Sequence, residues 1–220
     1  TVFPWSASHT ANFFSSFSSS RQVHGLLAQV KESTNLEELR GLEGVGASAY
    51  FGAFNEMILG DKEVFFFHGR SRRPPLDAVN AMLSFAYSLL AHDCASALES
   101  VGLDSYVGFL HRDRPGRTSL ALDLMEELRP CMVDRFVLTL INNRQVKASD
   151  FLYMESGAVS LTDEGRRAFL KGWQEKKKER LTHPYLGEKL SWGMIPYVQA
   201  LLLARYLRGD LDAYPPFLWK

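Results

Sequence analysis

His111 closes the apolar run YVGFLH, and Asp123 and Glu126 follow within SLALDLMEELRP, whose leucines give an apolar surround. Acids three residues apart project from one face of a helix. An imidazole beside two carboxylates is a first shell suited to Mn²⁺ or Mg²⁺, with water completing the coordination. The competing reading is a solvated helix face on which Arg129 pairs with the acids. Residue types alone leave both open. Glu43, in GLEGVG, is the second unusual acid. Its flanking glycines suit a carboxylate that backbone or substrate approaches closely. They equally suit a helix packed through Gly41, Gly44, Ala47 and Ser48 with Glu43 in water, and the residues alone favour that packing.

Arginines gather on two loops. GRSRRP places Arg70, Arg72 and Arg73, and HRDRPGR places Arg112, Arg114 and Arg117, where guanidinium groups can meet phosphates bidentately. Residues 166–180 hold seven Lys/Arg against two Glu, a local net of +5. That stripe either tracks a nucleic-acid backbone or is a solvated helix face, the commoner case. Trp173 within it reads as a core anchor, and His68, His92 and His183 as structural.

The whole chain balances 25 Lys+Arg against 25 Asp+Glu, so any nucleic-acid surface must be local. No phosphate-cradling Walker loop, dinucleotide fingerprint, CxxC pair or GxSxG elbow is present. Cys94 and Cys131 sit in apolar surroundings and imply no disulfide framework, which points to a reducing cytoplasm. The longest apolar run, MIPYVQALLLARYL, is interrupted by Pro196, Gln199 and Arg205.

The elements that must position these residues read as mainly α, with at most one small hairpin. A short helix is expected over 21–32 within an otherwise irregular segment 1–34. Asn35 and Glu38 form a capping-box pattern for a helix over 36–59, closed by Gly60 at C′. Its interior glycines each cost up to about 1 kcal/mol relative to alanine, which predicts a closely packed neighbouring helix. Residues 61–77 connect to a helix opened by Asp77 and ending near Gly102. A helix from Thr118 or Ser119 through Glu127 follows, then one from Pro130 to about Asn142. DFLYMESGAVSLT alternates like a hairpin. Thr162 caps a helix to about Leu181, and a last helix spans 186–208.

Several stretches in this order, LRGLEGVGASAYF, GRSRRPPLDAVNAMLSFAYSLL, GLDSYVGFLHRDRPGRTSLALDLMEELRP, DRFVLTLIN and LLARYLRGD, resemble the CRISPR-associated integrase–endonuclease family, whose members insert new spacers into a CRISPR array. GRSRRPPLD and YPPFLWK resemble its subtype I-C branch. The resemblance covers residues 35–220 and implies an α-helical, metal-dependent catalytic domain without the family's usual β-rich N-terminal domain. It implies Glu43, His111 and Glu126 as catalytic ligands of one Mn²⁺ or Mg²⁺, with Asp123 an auxiliary acid. The partners implied are protospacer and repeat DNA, a small ferredoxin-like CRISPR adaptation protein and, in full-length members, a homodimer. Ser105 stands where relatives commonly have proline, which predicts a looser turn before His111.

Overall fold

The computed structural model describes residues 25–219 apart from 27 and 31. Residues 25, 26, 28–30 and 32 are helical, while most of the expected irregular segment lies outside the described residues. Six α-helices follow: α1 (Leu36–Phe54), α2 (Ala78–Ser100), α3 (Ser119–Glu126), α4 (Arg135–Asn142), α5 (Asp163–Lys178) and α6 (Ile195–Leu207). A π-helical turn, Arg129–Asp134, joins α3 to α4. The mainly-α expectation holds. Among the described residues no helix is long and apolar enough to cross a membrane.

Helix α2 is the axis of the core. Asp77 caps it, with Oδ1 accepting from the Asn80 N–H at 2.7 Å, and its buried residues run from Ala78 to Leu98 on several faces. A helix apolar on most sides must be surrounded, and α2 packs against α3, α6, the π-helical turn and the first hairpin. Phe136 of α4 meets Phe169 and Trp173 of α5 with ring centroids 5.1 and 5.4 Å apart. Trp173 is therefore the core anchor its surroundings suggested.

Two antiparallel hairpins flank the helices. β1 (Phe151–Tyr153) pairs with β2 (Val159–Leu161) where alternation predicted it. A second pair, β3 (Arg180–Thr182) and β4 (Lys189–Ser191), occupies sequence expected to be helical. The reason is local. Pro184 follows β3, and Gly187 adopts the left-handed conformation at φ +70°, so the chain turns where a helix could not continue. Accordingly α5 stops at Lys178, and α6 begins only at Ile195, with Pro196 in its first turn.

Two expectations for α1 need correction. The helix ends at Phe54, not near residue 59. Gly60 is required by close approach rather than by a left-handed cap, since a Cβ there would lie 2.8 Å from the Ile141 carbonyl oxygen. Asn142 fastens the same corner, accepting from the Leu59 N–H at 2.7 Å and donating to the Met57 carbonyl at 3.0 Å. Nor, among the described residues, does a neighbouring helix press on most of the glycines. Among the described residues nothing lies within 4 Å of a Cβ built at Gly41, Gly44 or Gly52.

Three lysines of the basic stripe are paired, and of their partners only Asp93 lies outside residues 166–180. Lys177 pairs with Asp93 at 2.8 Å, Lys176 with Glu179 at 2.6 Å and Lys178 with Glu175 at 2.8 Å. His183 is fully buried, its Nε2 3.0 Å from Gln199 Oε1, the structural role expected of it.

Candidate metal centre

The segment before His111 is fixed by one carboxylate. Asp123 accepts from the backbone N–H groups of Phe109 (2.6 Å), Leu110 (3.0 Å) and His111 (2.9 Å), and from His111 Nδ1 (2.6 Å). Gly108 makes this possible. A Cβ there would meet Ser119 Cβ at 2.7 Å and Asp123 Oδ2 at 3.0 Å. Burial would push the Asp123 acid up, but the His111 ring and the three N–H groups outweigh it and hold the acid below its ordinary value. With its oxygens so engaged, Asp123 orients His111. It does not line the pocket into which the other acids open. Ser105 is bound on both its hydroxyl and its carbonyl. The residue is buried, its hydroxyl donates to Glu99 Oε1 at 3.1 Å, and its carbonyl accepts from the Leu120 and Ala121 N–H groups in the first turn of α3.

A carboxylate only accepts, so His111 donates through Nδ1, and the tautomer that can ligate a metal then has its lone pair on Nε2. Nε2 stands 3.7 Å from Glu126 Oε1. Arg129 Nη1 lies 2.7 Å from Oε1 and donates to Oε2 at 2.9 Å. The Oε1 contact is close, but its geometry is not that of a hydrogen bond, and Oε1 is buried without one. Burial pushes the Glu126 acid up, Arg129 opposes it, and the nearby Glu43 carboxylate raises it further.

Glu43, His111 and Glu126 line one open pocket of about 340 Å³, together with Arg40, Arg72, Arg112, Arg114, Arg117 and Arg129. Arg40 and Arg129 were not singled out by sequence as pocket residues. Arg40 lies one turn before Glu43, and its Nε and Nη2 donate to the Leu110 carbonyl at 2.8 and 2.6 Å. That bond holds α1 against the His111 segment. The spacing of Arg40 and Glu43 in LRGLEG was its only signal. Arg112 and Arg40 both pair with Glu37, whereas Arg72, Arg114 and Arg117 make no ion pair among the described residues. Arg114 and Arg117 stand at the ends of a turn closed by the Arg117 N–H on the Arg114 carbonyl at 3.0 Å, with Gly116 at φ +73°.

Arg70 departs from its expected role. It turns inward, donating to Asn80 Oδ1 and the Ser71 carbonyl at 2.7 Å and stacking on Tyr87. Its guanidinium braces the 69–80 loop and is not displayed to a phosphate. Arg73 is exposed but outside the pocket.

Among the described residues no group of three or more His, Cys, Asp or Glu side chains is closed tightly enough to hold a cation as it stands. The donor set nonetheless fits one. A ring nitrogen with its lone pair free and a buried carboxylate oxygen lacking a hydrogen bond face each other, with a second acid on the same pocket. Two donor atoms so placed can share a cation, in addition to the Arg129 charge already 2.7 Å from Oε1.

Residues 9–175 match the family model described as CRISPR associated protein Cas1. A curated relative from Rhodospirillum rubrum, CRISPR-associated endonuclease Cas1 2, is 59% identical over 91% of this chain and 58% of its own length. Among solved structures, a casposase bound to integration product superposes with TM-score 0.79 at 29% identity, over 92% of this chain and 59% of that one. A chain of a partial Cas6-RT-Cas1–Cas2 complex superposes with TM-score 0.76 at 26% identity, over 92% of this chain and 59% of that one. The chain thus spans rather more than half the length of these relatives. A family match across most of its residues, with the fold to correspond, makes this chain a member of the Cas1 family.

Proposed function

We propose that this chain carries the active site of a divalent-metal-dependent DNA endonuclease/integrase of CRISPR adaptation. The activity is attack of a DNA 3′-hydroxyl on a phosphodiester, which forms a new P–O bond as the bond to the target strand's own 3′ oxygen breaks and that oxygen leaves as a free 3′-hydroxyl, or nicking when water is the nucleophile. The observation that carries the reading is the facing pair His111 Nε2 and Glu126 Oε1, 3.7 Å apart, beside Glu43 in an arginine-lined pocket. Glu43, His111 and Glu126 would hold Mn²⁺ or Mg²⁺, and such a cation, when bound, activates the attacking oxygen and offsets charge on the reacting phosphate. The protein's own contribution is positional. Asp123 fixes the His111 ring and keeps its Nε2 available. Arg72, Arg114 and Arg117 attract the DNA backbone and hold its phosphates over the acids. Arg129 tempers the charge of Glu126. The casposase of similar fold was solved bound to integration product, and the Rhodospirillum rubrum relative bears the name of an endonuclease; both support this chemistry. The partners proposed on the family resemblance of the sequence are protospacer and repeat DNA and a small ferredoxin-like adaptation protein, with a homodimer in longer members and a cytoplasmic setting. The neighbours solved with integration product and in a Cas6-RT-Cas1–Cas2 complex support DNA and Cas partners.

A second reading is a DNA-binding portion whose catalysis needs further chain, favoured by the 58% span of the relative. One experiment separates the two. Labelled 3′-hydroxyl oligonucleotide is mixed with supercoiled plasmid, protein and Mn²⁺ or chelator. Metal-dependent joining or nicking that disappears in Glu43→Ala, His111→Ala and Glu126→Ala supports the enzyme. Activity equal to wild type in all three variants refutes the site. Salt-sensitive DNA binding without turnover favours the second reading.

A further inference from the structure

Asp134 lies in the π-helical turn and is 2% exposed. No cation touches it among the described residues. Its partners are two phenols: Tyr50 donates to Oδ2 at 2.9 Å and Tyr87 to Oδ1 at 2.6 Å. A buried carboxylate without a direct counter-charge is costly, and an apolar side chain would fill the site more cheaply. What the acid achieves is a junction. Tyr50 sits on α1 seven residues after Glu43, two turns along the same face. Tyr87 sits on α2, and the Arg129 guanidinium lies against its ring, 5.3 Å from the centroid. Arg129 in turn holds Glu126.

We propose that Asp134 is a positioning residue that sets the distance between Glu43 and Glu126, acting on one through Tyr50 and α1, and on the other through Tyr87 and Arg129. The proposal rests on the metal-site reading above. It complements the Arg40 bond to the Leu110 carbonyl, which fixes α1 on the other side of Glu43. With both in place α1 cannot slide or roll relative to His111 and Glu126. This matters for α1 because, among the described residues, nothing packs on Gly41, Gly44 or Gly52 to hold the helix from that side.

The test uses the full 220-residue chain carrying Tyr50→Phe or Tyr87→Phe. Each removes one hydroxyl and keeps the ring, and neither residue belongs to the metal shell. Thr162→Ala is the control, since it deletes a cap at α5, where Thr162 Oγ1 accepts from the Gly165 N–H at 2.9 Å. Two quantities are read beside the melting temperature: Mn²⁺ affinity by electron paramagnetic resonance, and amide hydrogen exchange across α1. Both tyrosine variants are expected to weaken Mn²⁺ binding about tenfold, with nicking restored at saturating Mn²⁺. Tyr50→Phe is also expected to speed exchange around Glu43. Thr162→Ala, at a comparable loss of melting temperature, leaves both unchanged. If the tyrosine variants melt earlier but match wild type in Mn²⁺ affinity and α1 exchange, Asp134 is only a core strut and the proposal fails. If wild type takes up no Mn²⁺, the metal reading fails separately, and faster α1 exchange in Tyr50→Phe still decides whether Asp134 holds that helix.

Discussion

Replacing Asp123 by asparagine tests how the His111 segment is held. The carboxylate accepts four hydrogen bonds, three from backbone N–H groups and one from the imidazole. An amide has one acceptor oxygen and places an NH₂ against the remaining donors. At least two bonds to a charged acceptor are lost, each worth roughly 1.5–3 kcal/mol. The side chain keeps 12% exposure, so water can recover part of this, and the net loss is about 3 kcal/mol. For a chain of this size that lowers the melting temperature by roughly 6–12 °C. Because His111 also loses the partner that fixes its ring, Mn²⁺ affinity should fall about 10–100-fold. There is a pH signature too. The Asp123 acid is stronger folded than unfolded, so its contribution is present above its ordinary value and is lost as pH falls through the lower folded one. Asp123→Asn removes that acid-side loss. Melting curves from pH 2 to 8 with Mn²⁺ titrations measure both. A variant that melts within about 2 °C of wild type and binds Mn²⁺ equally would refute this account of the segment.

Further outcomes follow from the same geometry. Gly108→Ala drives a methyl group into Ser119 and Asp123, so it should destabilise by about 1–3 kcal/mol and weaken Mn²⁺ binding, read by melting and titration. Asp134, pushed by burial from 3.8 to about 6, behaves oppositely to Asp123. Its contribution to stability is greatest below about pH 4 and declines as pH rises toward about 6, by about 3 kcal/mol. Asp134→Asn should flatten that decline in urea titrations across the interval. Paired Arg114→Ala and Arg117→Ala substitutions should reduce the slope of log binding constant against log salt by about 2 in DNA titrations, without weakening Mn²⁺ binding.

Much of the fold was legible because helix boundaries carry local chemistry. Asn35, Asp77 and Thr162 each cap where their types suggested. The second hairpin was hidden by apolar residues that fit either period, with Pro184 and Gly187 as the only signs of a turn. At the site, the resemblance named Glu43, His111 and Glu126 as ligands and Asp123 as auxiliary, while the spacing of the residues alone could not divide the two acids. Asp123 and Glu126 share a helix face by spacing, yet one binds the backbone of the preceding segment and the other opens into the pocket. The adjacent Glu127 points elsewhere again, accepting from Tyr214 and the Phe217 N–H at 2.7 Å and so pinning the C-terminal tail. Such differences depend on long-range partners. For the same reason Arg70 looked like its loop neighbours although it packs inward, and the Asp134 junction, assembled from residues 50, 87 and 134, left no local pattern.

Anomalous diffraction from crystals soaked in Mn²⁺ would locate the cation proposed to lie between Glu43, His111 and Glu126. The expected result is a single strong peak in contact with Glu43, His111 Nε2 and Glu126 Oε1, lost in Glu126→Ala. A peak elsewhere on the chain, or none with the pocket open to solvent, would contradict it.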